Sequence, residues 1–101
     1  MNPKQLQKMM KQAQKMQNDM QSAQGEIEAK EFTNTAGGGA IELVMTGDKK
    51  IVSLNIKEEV IDPEDKEMLE GMIVSLINQT IDQIEKETQE TMGAFTQGLP
   101  F

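Results

Sequence analysis

The chain contains no cysteine, no histidine and no arginine. Without cysteine there are neither disulfides nor thiolate metal sites, a composition compatible with a reducing compartment. Without histidine, the commonest general base and the commonest metal ligand are both missing. Aromatic residues are scarce: Phe32, Phe95 and Phe101 are the whole set. No apolar run approaches the roughly 18 residues of a membrane span. The opening Met1-Asn2-Pro3-Lys4-Gln5 leads into glutamines rather than into the apolar segment of a secretory signal. The expected location is the cytoplasm, with no membrane partner.

What is present fits one domain of 101 residues with a modest core. Nine methionines take over part of the core filling, and methionine packs adaptably rather than precisely shaped to its site. A small core of this kind favours oligomerisation, since a partner supplies burial that one subunit lacks. The net charge is −7, unevenly spread. Residues 1–24 hold four lysines and one acid, for +3, and residues 25–101 hold six lysines and sixteen acids, for −10. Such asymmetry suggests a partner of opposite sign at one end of the molecule.

Residues 3–27 read as one long helix. Pro3 suits the first helical position and Asn2 the N-cap. Leu6, Met9, Ala13, Met16, Met20, Ala23 and Ile27 recur at alternating spacings of three and four, an a/d heptad seam that calls for a partner helix. Three strands are predicted next, over about 28–35, 40–46 and 51–57. In the second, Ile41, Leu43 and Met45 share a face. In the third, Val52, Leu54 and Ile56 oppose Ser53, Asn55 and Lys57. The turn Gly47-Asp48-Lys49-Lys50 makes these two a hairpin. A second helix is predicted over about 63–92, with Asp62 as N-cap, Pro63 in the first position and Gly93 as C-cap. Its stripe of Leu69, Met72, Ile73, Leu76, Ile77, Ile81 and Ile84 is wide enough to cover a sheet and touch a second surface. Glu85 to Glu90 is polar all round and is expected to project into solvent or lie against another helix. The last residues, from Thr96, read as an irregular tail.

Three clusters invite a chemical reading. Gly37-Gly38-Gly39 has no Lys-Ser/Thr after it and precedes a strand, so it reads as a turn or a close backbone approach rather than a phosphate loop. Glu58, Glu59, Asp62, Glu64 and Asp65 lack the spacing of a calcium loop and have no nucleophile nearby. Solvation and helix capping account for them, and no catalytic apparatus, cofactor site or small-molecule substrate is expected. The third cluster is Lys4, Lys8, Lys11 and Lys15. In the heptad frame with Leu6 at a, Lys8 and Lys15 are c and Lys4 and Lys11 are f, so all four lie opposite the apolar seam. They form a stripe about 16 Å long, flanked by Gln5, Gln7, Gln12 and Gln14, with no acid before Asp19. Lysines and glutamines on an exposed helix suit phosphate contact.

The order of Gly37-Gly38-Gly39-Ala40-Ile41, Met45-Thr46-Gly47, Ile51 to Ile56, Asp62-Pro63-Glu64-Asp65, Glu67, Leu69-Glu70 and Asn78 resembles the YbaB/EbfC family of bacterial nucleoid-associated proteins. The Met/Gln/Lys-rich first helix and a tail with Gly, Leu, Pro and Phe fit as well, and the likeness covers nearly the whole chain. The resemblance implies an α+β fold: a long N-terminal helix, a three-stranded antiparallel sheet and a long C-terminal helix, in one domain over residues 1–101. It further implies a tweezer-like homodimer that binds DNA of the nucleoid with low or variable sequence preference, influencing chromosome organisation or gene expression. The DNA role falls on Lys4, Lys8, Lys11 and Lys15, which the charge pattern selects independently. With no arginine, bidentate reading of guanine by Arg is not available. The rival reading is a protein-interaction adaptor whose Met-rich helices dock on a partner, with DNA contact incidental.

Overall fold

In the computed structural model, which describes residues 2–96, the chain begins with helix α1 (Pro3–Ala29). The Asn2 side chain accepts a hydrogen bond from the Lys4 amide at 2.9 Å, and Pro3 follows it, as the sequence requires. The helix runs two residues beyond the heptad pattern. Lys30 then turns extended, and its N–H donates back to the carbonyls of Glu26 and Ile27. The first strand, β1 (Glu31–Ala36), therefore starts later than residue 28. It is followed by β2 (Ile41–Thr46) and β3 (Ile51–Ile56), giving an antiparallel sheet in the order β1-β2-β3. Gly37, Gly38 and Gly39 all have positive φ, and the Ala40 amide donates to the Gly37 carbonyl at 3.3 Å. The triple glycine is a turn, and it is glycine because three successive left-handed residues exclude side chains.

The register pairs Phe32 with Met45, Asn34 with Leu43 and Leu43 with Leu54. Side chains paired in this way share a face. Val44 pairs with Ser53 but Met45 pairs with Ile51, which leaves Val52 as an extra residue in a bulge. The expected grouping of Val52 with Leu54 and Ile56 is therefore corrected. Ile51 joins Leu54 and Ile56 on the inner face, and Val52 stands outside the ladder. Alternation read from sequence has no means of registering one inserted residue.

A 3₁₀ turn (Glu58–Val60) and a second one (Pro63–Asp65) lead into helix α2 (Lys66–Thr96). Asp62 caps the second turn, its carboxylate accepting from the Glu64 amide at 3.0 Å. The start signals at Asp62 and Pro63 thus belong to a lead-in, and the α-helix proper begins three residues later. Gly93 lies within the helix rather than capping it. The irregular tail expected from Thr96 begins later, since Thr96 is still helical, and residues 97–101 lie outside the described residues.

Helix α2 packs across β1 and β2. Leu76 and Ile84 close over Phe32, Ile41, Leu43 and Met45, and all six are buried. Thr80, between them, is fully buried as well, and its hydroxyl donates to the Leu76 carbonyl at 2.8 Å and accepts from Asn34 Nδ2 at 2.9 Å. The Thr80 hydroxyl is therefore both donor and acceptor, and Asn34 Nδ2 also donates to Gln83 Oε1 at 2.9 Å, so these side chains tie β1 to α2. β3 is the strand left at the edge: Ile51 and Val52 are 50% and 55% exposed, and Leu54 is also exposed.

Beyond the sheet, α2 continues alongside the C-terminal half of α1. Lys30 Nζ holds Glu87 Oε1 at 2.6 Å and Lys49 Nζ holds Glu85 Oε1 at 3.0 Å, which anchors the polar stretch of α2 where it leaves the sheet. The molecule is long and thin, 75 × 22 × 16 Å.

Candidate nucleic-acid interface

The apolar seam of α1 is regular in sequence but unequally covered in space. Ile27 is 7% exposed, Ala23, Met20 and Met16 are half-buried, and Met9 and Met10 are 54% and 63% exposed. The cause is the length of the partner. Residues 84–89 of α2 lie beside residues 24–28 of α1. At about 1.5 Å per residue in both helices, the described part of α2 reaches roughly as far as Met16. From Asn2 to Lys15 every residue of α1 is exposed. This free segment is an arm about 20 Å long.

All four candidate lysines, Lys4, Lys8, Lys11 and Lys15, stand on the arm and are exposed. At 3.6 residues per turn they fall within an arc of roughly 60° on the side away from the seam. The first turn of α1 contains no acid, so the positive end of its macrodipole adds to the lysine charge. Among the described residues none of the four makes an ion pair. The contrast with the body of the molecule is sharp. There Lys30 pairs with Glu87, Lys49 with Glu85, Lys50 with Asp48, and Lys66 with Glu70. Lys30, Lys49 and Lys50, three of the cations at the sheet, are thus already neutralised by carboxylates, whereas Lys57 at the end of β3 and Lys86 on α2 are exposed and make no ion pair among the described residues.

The acids sit elsewhere. Glu58, Glu59, Asp62, Glu64 and Asp65 are exposed in the two 3₁₀ turns and their flanks, before the start of α2. That start lies about 27–35 Å along the helix from the α1–α2 junction, in the direction away from the arm. Among the described residues no group of three or more carboxylates converges as a metal-holding set. A cleft of about 460 Å³ at the junction is lined by Gln24, Glu28, Asp48, Lys49 and Glu85, a mixed set with acids in excess that does not suit phosphate. Asp48 is itself held below the usual carboxylate range, first by the hydrogen bond its side chain accepts from the Thr46 hydroxyl and also by the nearby Lys50. The four arm lysines are the longest run of cations uninterrupted by an acid.

The sequence matches the profile of the YbaB/EbfC DNA-binding family over residues 1–99. This chain belongs to that family. A nucleoid-associated protein of Listeria monocytogenes is 55% identical over 94 residues, covering 93% of this chain and 90% of its own. A nucleoid-associated protein of Clostridium botulinum is 48% identical over 92 residues, covering 91% and 81%. The crystal structure of an uncharacterized protein from Helicobacter pylori superposes with a TM-score of 0.69 at 22% identity, covering 96% of this chain and 97% of the other. That last likeness concerns the fold, and it joins this YbaB/EbfC member to a helix-sheet-helix architecture already seen in a crystal. Among the described residues no helix is long and apolar enough to cross a membrane.

What sequence reasoning missed is the pairing state of the cations. The spacing marks out the four arm lysines, but nothing local in the sequence tells which of the other six are paired. Only the fold brings Glu85 and Glu87 to Lys49 and Lys30.

Proposed function

We propose that this protein is a nucleoid-associated, cytoplasmic DNA-binding protein that acts as a homodimer and grips the DNA backbone with the lysines of its two arms. The observation that carries the reading is the one-signed stripe of Lys4, Lys8, Lys11 and Lys15 on an arm that, among the described residues, no other element covers. Phosphate contact by lysine releases condensed counterions and is blind to base sequence. Discrimination, where it exists, comes from DNA shape and stiffness. The homodimer is supported by the uncovered edge of the sheet. Ile51, Val52 and Leu54 on β3 are exposed, as are Ile61, Met68 and Val74 around the start of α2. An apolar, unpaired edge strand on a lone subunit invites pairing with another chain. Joining two such edges puts an arm on each side of one body.

A salt titration of duplex binding tests the arm. If about four to eight phosphates are neutralised, log affinity falls against log salt with a slope of roughly −4 to −7. Between 50 and 200 mM salt this weakens binding by about 10² to 10⁴-fold. Replacing the four lysines with glutamine keeps helix propensity and removes the charge. The expected result is unchanged circular dichroism, lower affinity on every duplex tried, and a flatter slope. A quadruple variant that binds as tightly as the parent, at the same slope, refutes the assignment.

A further inference from the structure

We propose that the uncovered part of the α1 seam, Leu6, Met9 and Ala13, with Met10 at its edge, is a self-association surface through which the arms of two molecules pair, turning their lysine stripes outward toward two separate duplexes. The seam is continuous with one already in use. From Met16 to Ile27 the same a/d positions are covered on the side of α1 that meets α2, and the pattern continues without interruption into the arm beyond the described part of α2. An antiparallel helix laid on the arm would extend an existing two-helix contact rather than create a new type of surface.

The occupant is a second copy because of where the charges lie. In a helix pair the positions that flank the seam, e and g, set partner choice by attraction or repulsion. On the arm these are occupied by Pro3, Gln5, Met10 and Gln12, none of them charged. The lysines are held at c and f, on the far side. Two identical arms therefore meet seam to seam without bringing like charges together. An acidic partner helix would find no lysine at the flanks to read. With axes about 8–10 Å apart, the paired arms present lysines on both outer sides. The contact is short, about two heptads, and so is weak for isolated arms. It gains strength when several dimers are held close together on DNA, through effective concentration. The link between duplexes rests on the DNA reading above, whereas the pairing of arms does not.

The absence of cysteine makes a direct test possible. The full chain carrying Met9→Cys is oxidised without DNA, next to one carrying Lys11→Cys on the outer face. The expected result is a cross-linked band at twice the chain mass for Met9→Cys, at least about tenfold stronger than for Lys11→Cys, together with a mass that rises with concentration beyond the dimer. A triple variant, Leu6→Gln, Met9→Gln and Met10→Gln, removes exposed side chains that lie outside the core, and circular dichroism checks its fold. It should bind a single duplex like the parent, yet lose at least about tenfold in the capture of a free duplex by a bead-bound one. Equal capture by the triple variant overturns the proposal. So does equal cross-linking at the two cysteine positions, the result expected if the seam is closed within its own chain or left bare. If the parent binds no duplex at all, the DNA reading fails separately, and the cross-link alone decides the pairing.

Discussion

Gly47 offers the most direct check on how α1 joins the sheet. A methyl group built on its Cα would lie 1.8 Å from the Ile27 carbonyl oxygen, 2.6 Å from the carbonyl carbon and 3.2 Å from the Glu28 Cα. These are backbone atoms, so no side chain can swing aside. Restoring ordinary contact requires the end of α1 to retreat from the hairpin by roughly 1.6 Å. The Gly47 amide donates to the Lys30 carbonyl at 2.9 Å, and this bond spans the same gap. Gly47 is not among the residues with positive φ, so alanine incurs no backbone penalty there and the substitution isolates the steric effect. Overpacking costs about 1–3 kcal/mol and the broken hydrogen bond about 1 kcal/mol, which gives an expected loss of about 2–4 kcal/mol for Gly47→Ala. For a domain of this size that lowers Tm by about 10–25 °C. The assay is thermal unfolding by circular dichroism at one fixed protein concentration, because an assembling protein melts in a concentration-dependent way. Gly25→Ala is the internal control. Its added methyl meets nothing within 4 Å, and it lies inside α1. There alanine should raise stability by about 0.5–1 kcal/mol through helix propensity. The same chemical change is thus expected to act with opposite sign at two positions. A Gly47→Ala variant that melts within a degree or two of the parent would refute the close approach of helix and hairpin.

Other perturbations probe the rest of the framework. Leu76→Asp places a carboxylate at the centre of the helix–sheet contact, where the native side chain is 2% exposed. It should cost at least about 3 kcal/mol and abolish the folded assembly, as read by urea unfolding and light scattering. Lys49 has φ 66°, a conformation that suits glycine, while its bond to Glu85 is exposed. Lys49→Gly should therefore be neutral or stabilising by up to about 1 kcal/mol in the same melts, and a loss above that would assign the ion pair a larger share. Thr46→Val removes the hydroxyl that donates to Asp48, so the Asp48 carboxyl should titrate closer to its ordinary value when followed by NMR. The sign follows from linkage. A carboxyl depressed in the folded state stabilises above its unfolded pKa, and the contribution fades as pH falls through the lowered value. The parent should accordingly resist acid slightly better than the variant.

Much of this molecule is legible in one dimension because its signals are local and periodic. The cap at Asn2 and Pro3, the heptad of α1, the alternation of Ile41, Leu43 and Met45, and the apolar stripe of α2 each depend on neighbours a few residues away. The lysine stripe is legible for the same reason, since spacings of four and three fix a helix face whatever the helix packs against. The tertiary structure decided the rest. Val52 sits in a bulge because one residue too many separates the turn from the strand register, and alternation is blind to that count. Gly93 reads as a helix stop, yet α2 passes through it along the C-terminal half of α1. The seam of α1 repeats evenly from Leu6 to Ile27, but burial fades along it because the described part of α2 does not reach its first half. The lysines follow the same logic. Their charge is written in the sequence, while the choice of which are neutralised belongs to the fold, because an ion pair needs two side chains within about 4 Å and only folding brings Lys30 to Glu87 across 57 positions of chain.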